Sequence, residues 1–417
     1  SVRKKAYHYS RPMVWKEVAR SYLHLVREVT ENQGWKPRPE PTEIKTQKVD
    51  TLPRINLNHI RIMTDDTGIL QHSYFSMPRR EDGYCLDDNA RALIAMSMYH
   101  NLHREDNFTA LSKTYFSFII NAFNREKGRF RNFMSYDRKW LEEVGSEDAH
   151  GRALWALGVT ISKTTGKSVR DMVCSLFIDS IRSVDNFRHL RAWAFTLIGI
   201  HHYLKVYEGD AEVKKTRRHL AKRLYDRFKE NGSADWPWPE DILTYANARL
   251  PHALILAGKG MGNIDMLQTG LTSLRWILQQ QTDEKGHISI IGNKGWMRRN
   301  GARARFDQQP LEIMALIEGC ADAFRITRDN VWLKEARRCF DWFMGKNDLN
   351  IPVYDFASGG CHDALEPHGV NENMGAESSL AWLVSLLTMN ELFGIEHLLK
   401  TKDNIKTMGL QPRIRKD

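Results

Sequence analysis

The sequence contains no run of 18 or more uninterrupted apolar residues, the length a membrane-crossing helix requires, so no membrane partner is expected. Cysteine is scarce. Cys85, Cys174, Cys320, Cys339 and Cys361 are odd in number, scattered and without CxxC spacing. They suit neither a disulfide framework nor a zinc site, and they fit a reducing, cytoplasmic compartment. Ser1-Val2-Arg3-Lys4-Lys5 leads into a polar, Trp-containing stretch with no apolar core, so no secretory signal is expected there. GxGxxG, Walker, HExxH and nucleophile-elbow patterns are all missing, and with them any support for a cofactor or a metal. Zinc-finger, helix-turn-helix and RNP signatures are missing too.

What is present is 417 residues, 42% hydrophobic and 27% charged, enough apolar material to exclude a wholly disordered chain. The formal net charge of +10 raises the question of a nucleic-acid partner. One basic group, Lys214, Lys215, Arg217, Arg218, Lys222, Arg223, Arg227 and Lys229, alternates with Leu220, Leu224, Tyr225 and Phe228 at helical spacing. That pattern is the solvated back of an amphipathic helix. The second group, Arg298, Arg299, Arg303 and Arg305, lies in a Gly-containing loop and could hold hydroxyls, carboxylates or phosphate. No nucleic-acid partner is expected.

Helical periodicity covers roughly 12–32, 88–102, 108–124, 148–163, 167–184, 188–207, 211–231, 247–259, 264–281, 307–326, 330–346 and 376–394. Strand-like runs are few, His287–Ile291 and Ile351–Tyr354 among them, so the fold class is all-α. Polar starts followed by small, apolar helices recur near residues 88, 148, 190, 247, 307 and 377, each of the first five followed by a more charged amphipathic helix. Six such hairpins predict an (α/α)6 toroid, with residues 1–60 closing the ring, 61–399 forming the catalytic-type domain and 400–417 a basic tail. An open solenoid of hairpins would carry the same periodicity.

In a toroid, the loops before the inner helices converge on one mouth, and those loops are acidic and aromatic. Asp88, Asp148, Asp307 and Glu377 open inner helices, and Glu240 with Asp241 lies beside Trp236 and Trp238. N-capping explains one or two such acids. Four of them, in loops that also carry Tyr136, Tyr245, Asn89, Asn247, Gln308, Gln309, Asn373, Arg91 and Arg249, suggest a carbohydrate groove. Glycosidic cleavage needs two carboxylates, one acting as proton donor and one as base or nucleophile. The helix dipole is expected to hold Asp88, Asp148, Asp307 and Glu377 ionised, leaving Glu240 or Asp241, flanked by Trp, as candidate acid. Asp65, Asp66, Asp87, Glu147 and Asp363 are further candidates for binding hydroxyls. Arg91, Arg152 and Arg249, three or four residues into their helices, are expected to form structural ion pairs. His150 and His252 face either ligand or core. Cys361, His362 and His368 match no zinc spacing.

The strings around 64–68, 83–93, 144–154, 236–251, 306–310 and 371–378 together resemble the (α/α)6 six-hairpin glycosidase-like region of bacterial carbohydrate-active proteins, often found behind a GT-B glycosyltransferase domain. Tyr9-Ser10-Arg11-Pro12-Met13-Val14-Trp15 resembles the closing helix of such a transferase, so the chain could be part of a longer polypeptide. The resemblance implies action on an oligo- or polysaccharide, bacterial or dietary, by an inverting two-carboxylate mechanism. A phosphorylase, using the Arg298–Arg305 loop, and a non-catalytic glycan-binding domain are alternatives. A sugar epimerase would want paired histidines. The resemblance also implies Asp where Ala246 stands, so the fourth hairpin lacks a carboxylate, whether through inactivation or as a tolerated alanine.

Overall fold

A computed structural model describes residues 19–25, 27, 52–103 and 108–407, with side chains of the last helix described to residue 396. The chain divides into two compact units, residues 1–52 and 53–417. In the first, residues 19–25 are helical, as the periodicity over 12–32 predicts. Tyr9–Trp15, most of the ring-closing segment 1–60 and the tail beyond 407 lie outside the described residues.

Among the described residues, the second unit is built on eleven long helices, preceded by a short one at Asn58–Ile62. Six form an inner ring: α1 (Leu86–His103), α3 (Glu147–Lys163), α5 (Leu190–Leu204), α7 (Arg249–Met261), α9 (Pro310–Thr327) and α11 (Ala376–Thr407). Each packs on the next, and α11 packs back on α1, so the inner ring closes within this unit and an open solenoid is excluded. Five outer helices follow the first five inner ones: α2 (Ala110–Ala122), α4 (Lys167–Ile181), α6 (Ala211–Asn231), α8 (Ile264–Gln280) and α10 (Asn330–Phe343). This is the (α/α)6 toroid.

Local chemistry explains the boundaries. Thr109, Ser146, Asp210, Asn263 and Asp329 cap α2, α3, α6, α8 and α10 through their side chains, and Pro310 occupies the first turn of α9. Inner helices are buried on every side, outer ones on a single face. In α3 every residue from Ala149 to Ile161 is buried, whereas α6 buries only Val213, Leu220, Ala221, Leu224 and Phe228. The ring is tight because α3 and α5 meet backbone to backbone. A Cβ on Gly158 would lie 2.2 Å from the Gly199 carbonyl oxygen, which only glycine permits. Ala376–Glu396 is long and apolar enough to cross a membrane by composition, yet most of it is buried in this ring.

The basic residues of α6 are solvated as expected, pairing along the helix (Lys222–Asp226, Arg227–Glu230) or lying over aromatic rings, as Arg223 does on Trp193. The Arg298–Arg305 loop departs from expectation. Arg299 donates to the Asn231 carbonyl and Ser233, Arg303 to the Gln280 and Ser289 carbonyls, and Arg305 to Asp348. Three of its four arginines brace loops instead of facing a phosphate.

The connections at the two ends differ. Segments 164–166, 205–210, 262–263 and 328–329 are short turns, while 123–146, 182–189, 232–248, 281–309 and 344–375 are long. The long loops crown the N-terminal ends of the inner helices and make the mouth. A hairpin unanticipated from the sequence, β1 (Leu70–Tyr74) and β2 (Met77–Cys85), leads into α1 and pairs with β3 (Phe133–Met134). Its strands carry mixed polar and apolar residues on a surface without strict alternation, so no period of two marks them.

Candidate active site

At the mouth, carboxylates from three inner helices meet around two arginines. Arg91, fully buried, donates to Asp88 Oδ1 (2.7 Å) and to Glu377 Oε2 (2.7 Å), bridging α1 and α11. Arg152 lies between Asp148 (3.3 Å) and Asp87 (3.9 Å), bridging α3 and α1. The Tyr245 hydroxyl, from the loop before α7, donates to Asp148 Oδ2 (3.1 Å). The expected structural ion pairs of Arg91 and Arg152 therefore exist, and they are also what gathers the acids.

The electrostatics differ from the dipole expectation. Burial pushes Asp88 up to about 6, against the pull of Arg91, with Glu377 adding repulsion. Asp87 is likewise raised by burial, with Arg152 opposing. A desolvated carboxylate prefers its neutral form, and here that cost outweighs the helix N-terminus. Asp87 keeps a quarter of its side chain exposed, while its Oδ1 is buried without a partner. Glu377 is 43% exposed and uses one oxygen on Arg91. Asp88 is enclosed, its second oxygen accepting from the Cys85 thiol (3.0 Å).

The Asp88 shift carries a stability prediction. A carboxyl at about 6 when folded and 3.8 otherwise binds more protons in the folded state between those values. The wild type should therefore lose stability, relative to Asp88→Asn, as pH rises from about 4 to 6, by of order 3 kcal/mol. Above 6 the difference should stay flat. Urea midpoints of both proteins from pH 4 to 8 check this, and a wild type that gains stability relative to Asp88→Asn as pH rises, or a difference independent of pH, contradicts it.

A second cluster adjoins the first through Tyr245. Arg191 of α5 forms a bidentate pair with Glu240 (2.9 and 3.1 Å), donates to the Tyr245 carbonyl (2.6 Å) and lies over the Tyr245 ring. Glu240 thus has both oxygens occupied as acceptors and is not placed to deliver a proton, which corrects its expected role. Trp236 and Trp238 are also corrected. Both are buried, packed on Trp276, with indole N–H groups bonded to the Glu240 and Ile242 carbonyls. They build the wall and present no face to a sugar.

Ala246 is buried with φ +47°, a left-handed conformation that Asp and Asn adopt more readily than Ala. Its amide donates to Glu312, which also takes the Asn247 amide and side chain (both 3.2 Å). Glu312 is the residue sequence reasoning missed. Three positions into α9 it looks like an ordinary first-turn acid, and only the ring brings the 246–247 turn onto it. Asp307 also has φ +58°, is half-buried, and has no side-chain partner among the described residues.

Several other candidates turn out to be scaffolding. Asp65 accepts from Tyr84 (2.6 Å) and the Thr67 amide; Asp66 pairs with Arg138 on the surface. Asn89, fully buried, ties Ile69 to Cys85, and Glu147 caps the Arg188 and His189 amides. Asn247 closes its own turn through Thr244; Gln308 braces Arg305, Asp348 and Trp342. Asp363 accepts from the Gly375 amide (2.7 Å) and Asn373 from the Phe75 amide (3.0 Å). Tyr136 and Tyr245 stay partly exposed, and Gln309 is half-buried with no side-chain bond at its cap position. His150 is a core residue, bonded to the Ser180 carbonyl and held down to about 3 by burial. His252 pairs with Asp322 inside the ring (2.8 Å).

Arg249 is wholly buried, stacked 4.3 Å from the Trp155 ring and paired with Glu318. Arg249→Leu should destabilise the protein by about 3–5 kcal/mol, because Glu318 loses its counter-ion in a poorly solvated place. Urea denaturation checks this, and a loss below 1 kcal/mol contradicts it. Asp283, His287 and Asp348 offer oxygens and nitrogens within 4.8 Å of one another. Asp348 already accepts from Arg305 and Gln308, so this group reads as a polar brace.

No family model matches this sequence, and no curated protein matches it. Among solved structures, a sugar epimerase from a ruminal bacterium aligns with TM-score 0.62 and 12% identity over 80% of this chain and 96% of its own. Cellobiose 2-epimerase from Bacillus thermoamylovorans aligns at 0.61 and 13% over 80% and 95%. An α-mannanase of glycoside hydrolase family 76 from Bacteroides thetaiotaomicron aligns at 0.55 and 11% over 75% and 88%. At these identities the likeness establishes the (α/α)6 fold and nothing further.

Proposed function

We propose that this chain is a carbohydrate-active protein whose mouth is the framework of an inverting glycosidase acting on an oligo- or polysaccharide. The observation that carries the reading is the gathering of Asp87, Asp88, Asp148 and Glu377 around Arg91, Arg152 and Tyr245. In this reading Asp87, raised by burial yet partly exposed, donates the proton. Glu377, exposed and held through one oxygen, activates water with the other. Separate arginines tether the two acids, and inversion requires that the two carboxyls seat a water between them. Asp148, held by Tyr245 and Arg152, stabilises developing positive charge on the sugar.

Fold neighbours that are epimerases favour a second reading. It requires two proton-transfer groups astride one carbon. His150 and His252 are withdrawn into the core, which weighs against it.

The test is incubation of the wild type and an Ala246→Asp protein with α-mannan, carboxymethylcellulose, starch, cellobiose and mannose, with and without phosphate. New reducing ends of inverted anomeric configuration support the first reading. A C2 epimer of cellobiose or mannose, without cleavage, supports the second. Products formed only with phosphate would mark a phosphorylase. Binding without any product would leave a glycan-binding domain.

A further inference from the structure

The turn joining β1 to β2 is a two-residue loop, Phe75–Ser76, closed by the Tyr74–Met77 pair. The first residue of such a turn takes positive φ, a position glycine favours. Here it is Phe75, at φ +53° with 57% of its surface exposed. Both features are unfavourable for a bulky apolar residue. The turn is nonetheless pinned firmly. The Phe75 amide donates to Asn373 Oδ1 (3.0 Å), its carbonyl accepts from the Met374 amide (2.9 Å) and the Ser73 hydroxyl (2.7 Å), and Met374 also donates to Ser73 (2.9 Å). The Phe75 backbone is thus held firmly beside the loop that enters α11.

That loop reaches Glu377 three residues after Met374, a span of at most about 11 Å, or one or two sugar rings. Tyr245, partly exposed above Asp148, offers a second aromatic face at the mouth. Resting on the reading that this mouth takes a glycan, we infer that Phe75 is a stacking platform for a sugar unit beyond the acid cluster. The ligand is then a chain of several units, not a free monosaccharide. A ring carried on a backbone already pinned before binding loses less entropy when a sugar covers it than one on a loose loop.

The experiment is affinity electrophoresis of the full chain in gels containing α-mannan, carboxymethylcellulose or starch, alongside calorimetry with mannose and cellobiose. Wild type, Phe75→Ala and Phe75→Gly are compared. Retention by at least one polymer is expected for the wild type, with its dissociation constant raised about 10- to 100-fold in both variants. Mannose and cellobiose binding, whether measurable or below detection, should be the same in all three proteins. Phe75→Gly should also raise Tm by about 1–3 °C by relieving the backbone, so its lost retention cannot come from misfolding. Wild type unretained by all three polymers, equal retention in the three proteins, or loss of cellobiose binding in parallel would each overturn the inference. Because the readout is binding, a chain that binds but never cleaves removes the catalytic reading and leaves this one standing.

Discussion

Ala246→Asp is expected to raise glycan cleavage by about 10²- to 10³-fold, the usual contribution of a placed group that stabilises developing charge, here beside Asp148, the donor and base roles being those of Asp87 and Glu377. The backbone accepts the change. Residue 246 has φ +47°, where Asp is less strained than Ala, while the Glu312 carboxylate on its amide would repel a second charge. The added charge would be buried, but Arg191 is close by, bonded to the carbonyl of residue 245 and to Asn247 (3.4 Å). The neighbouring Tyr245 contacts Asp148, so a carboxylate here would join the acid cluster from the fourth hairpin. Reducing-end assays on the glycan panel decide the matter. Equal rates for both proteins would make Ala246 a tolerated alanine.

Asp87→Asn, made in whichever of those two proteins is the more active, should lower turnover by about 10²- to 10⁴-fold. Asn keeps the shape of Asp and leaves Arg152 paired with Asp148, so the fold and glycan binding should survive. The acidic proton would be lost. A substrate with a good leaving group, such as an aryl glycoside, needs less protonation and should be rescued in part. Undiminished turnover on natural glycan would remove Asp87 from the donor role, and equal losses on both substrates would point to a positioning role.

The Glu240 result shows why site assignment from sequence stops where it does. A carboxylate beside two tryptophans reads as a proton donor in an apolar pocket. In the folded protein both indoles turn into the wall, and Arg191, nearly fifty residues earlier, occupies both carboxylate oxygens. Asp88 shows the reverse. Its place at a helix start argues for an ionised acid, but enclosure beneath the mouth raises it instead.

The sequence by itself determined the long helices and their inner or outer character, because periodicity and capping are local properties that survive whatever packs against them. It also identified the acids at the inner starts. Only the tertiary structure decided which of those acids share a site, since Arg91 and Arg152 link helices far apart in the chain. It likewise decided that Asn89, Asn247 and Gln308 are braces and that Glu312 holds the 246–247 turn. Burial and long-range hydrogen bonding depend on what the closed ring brings alongside each residue, and neighbouring residues in the sequence carry no record of that.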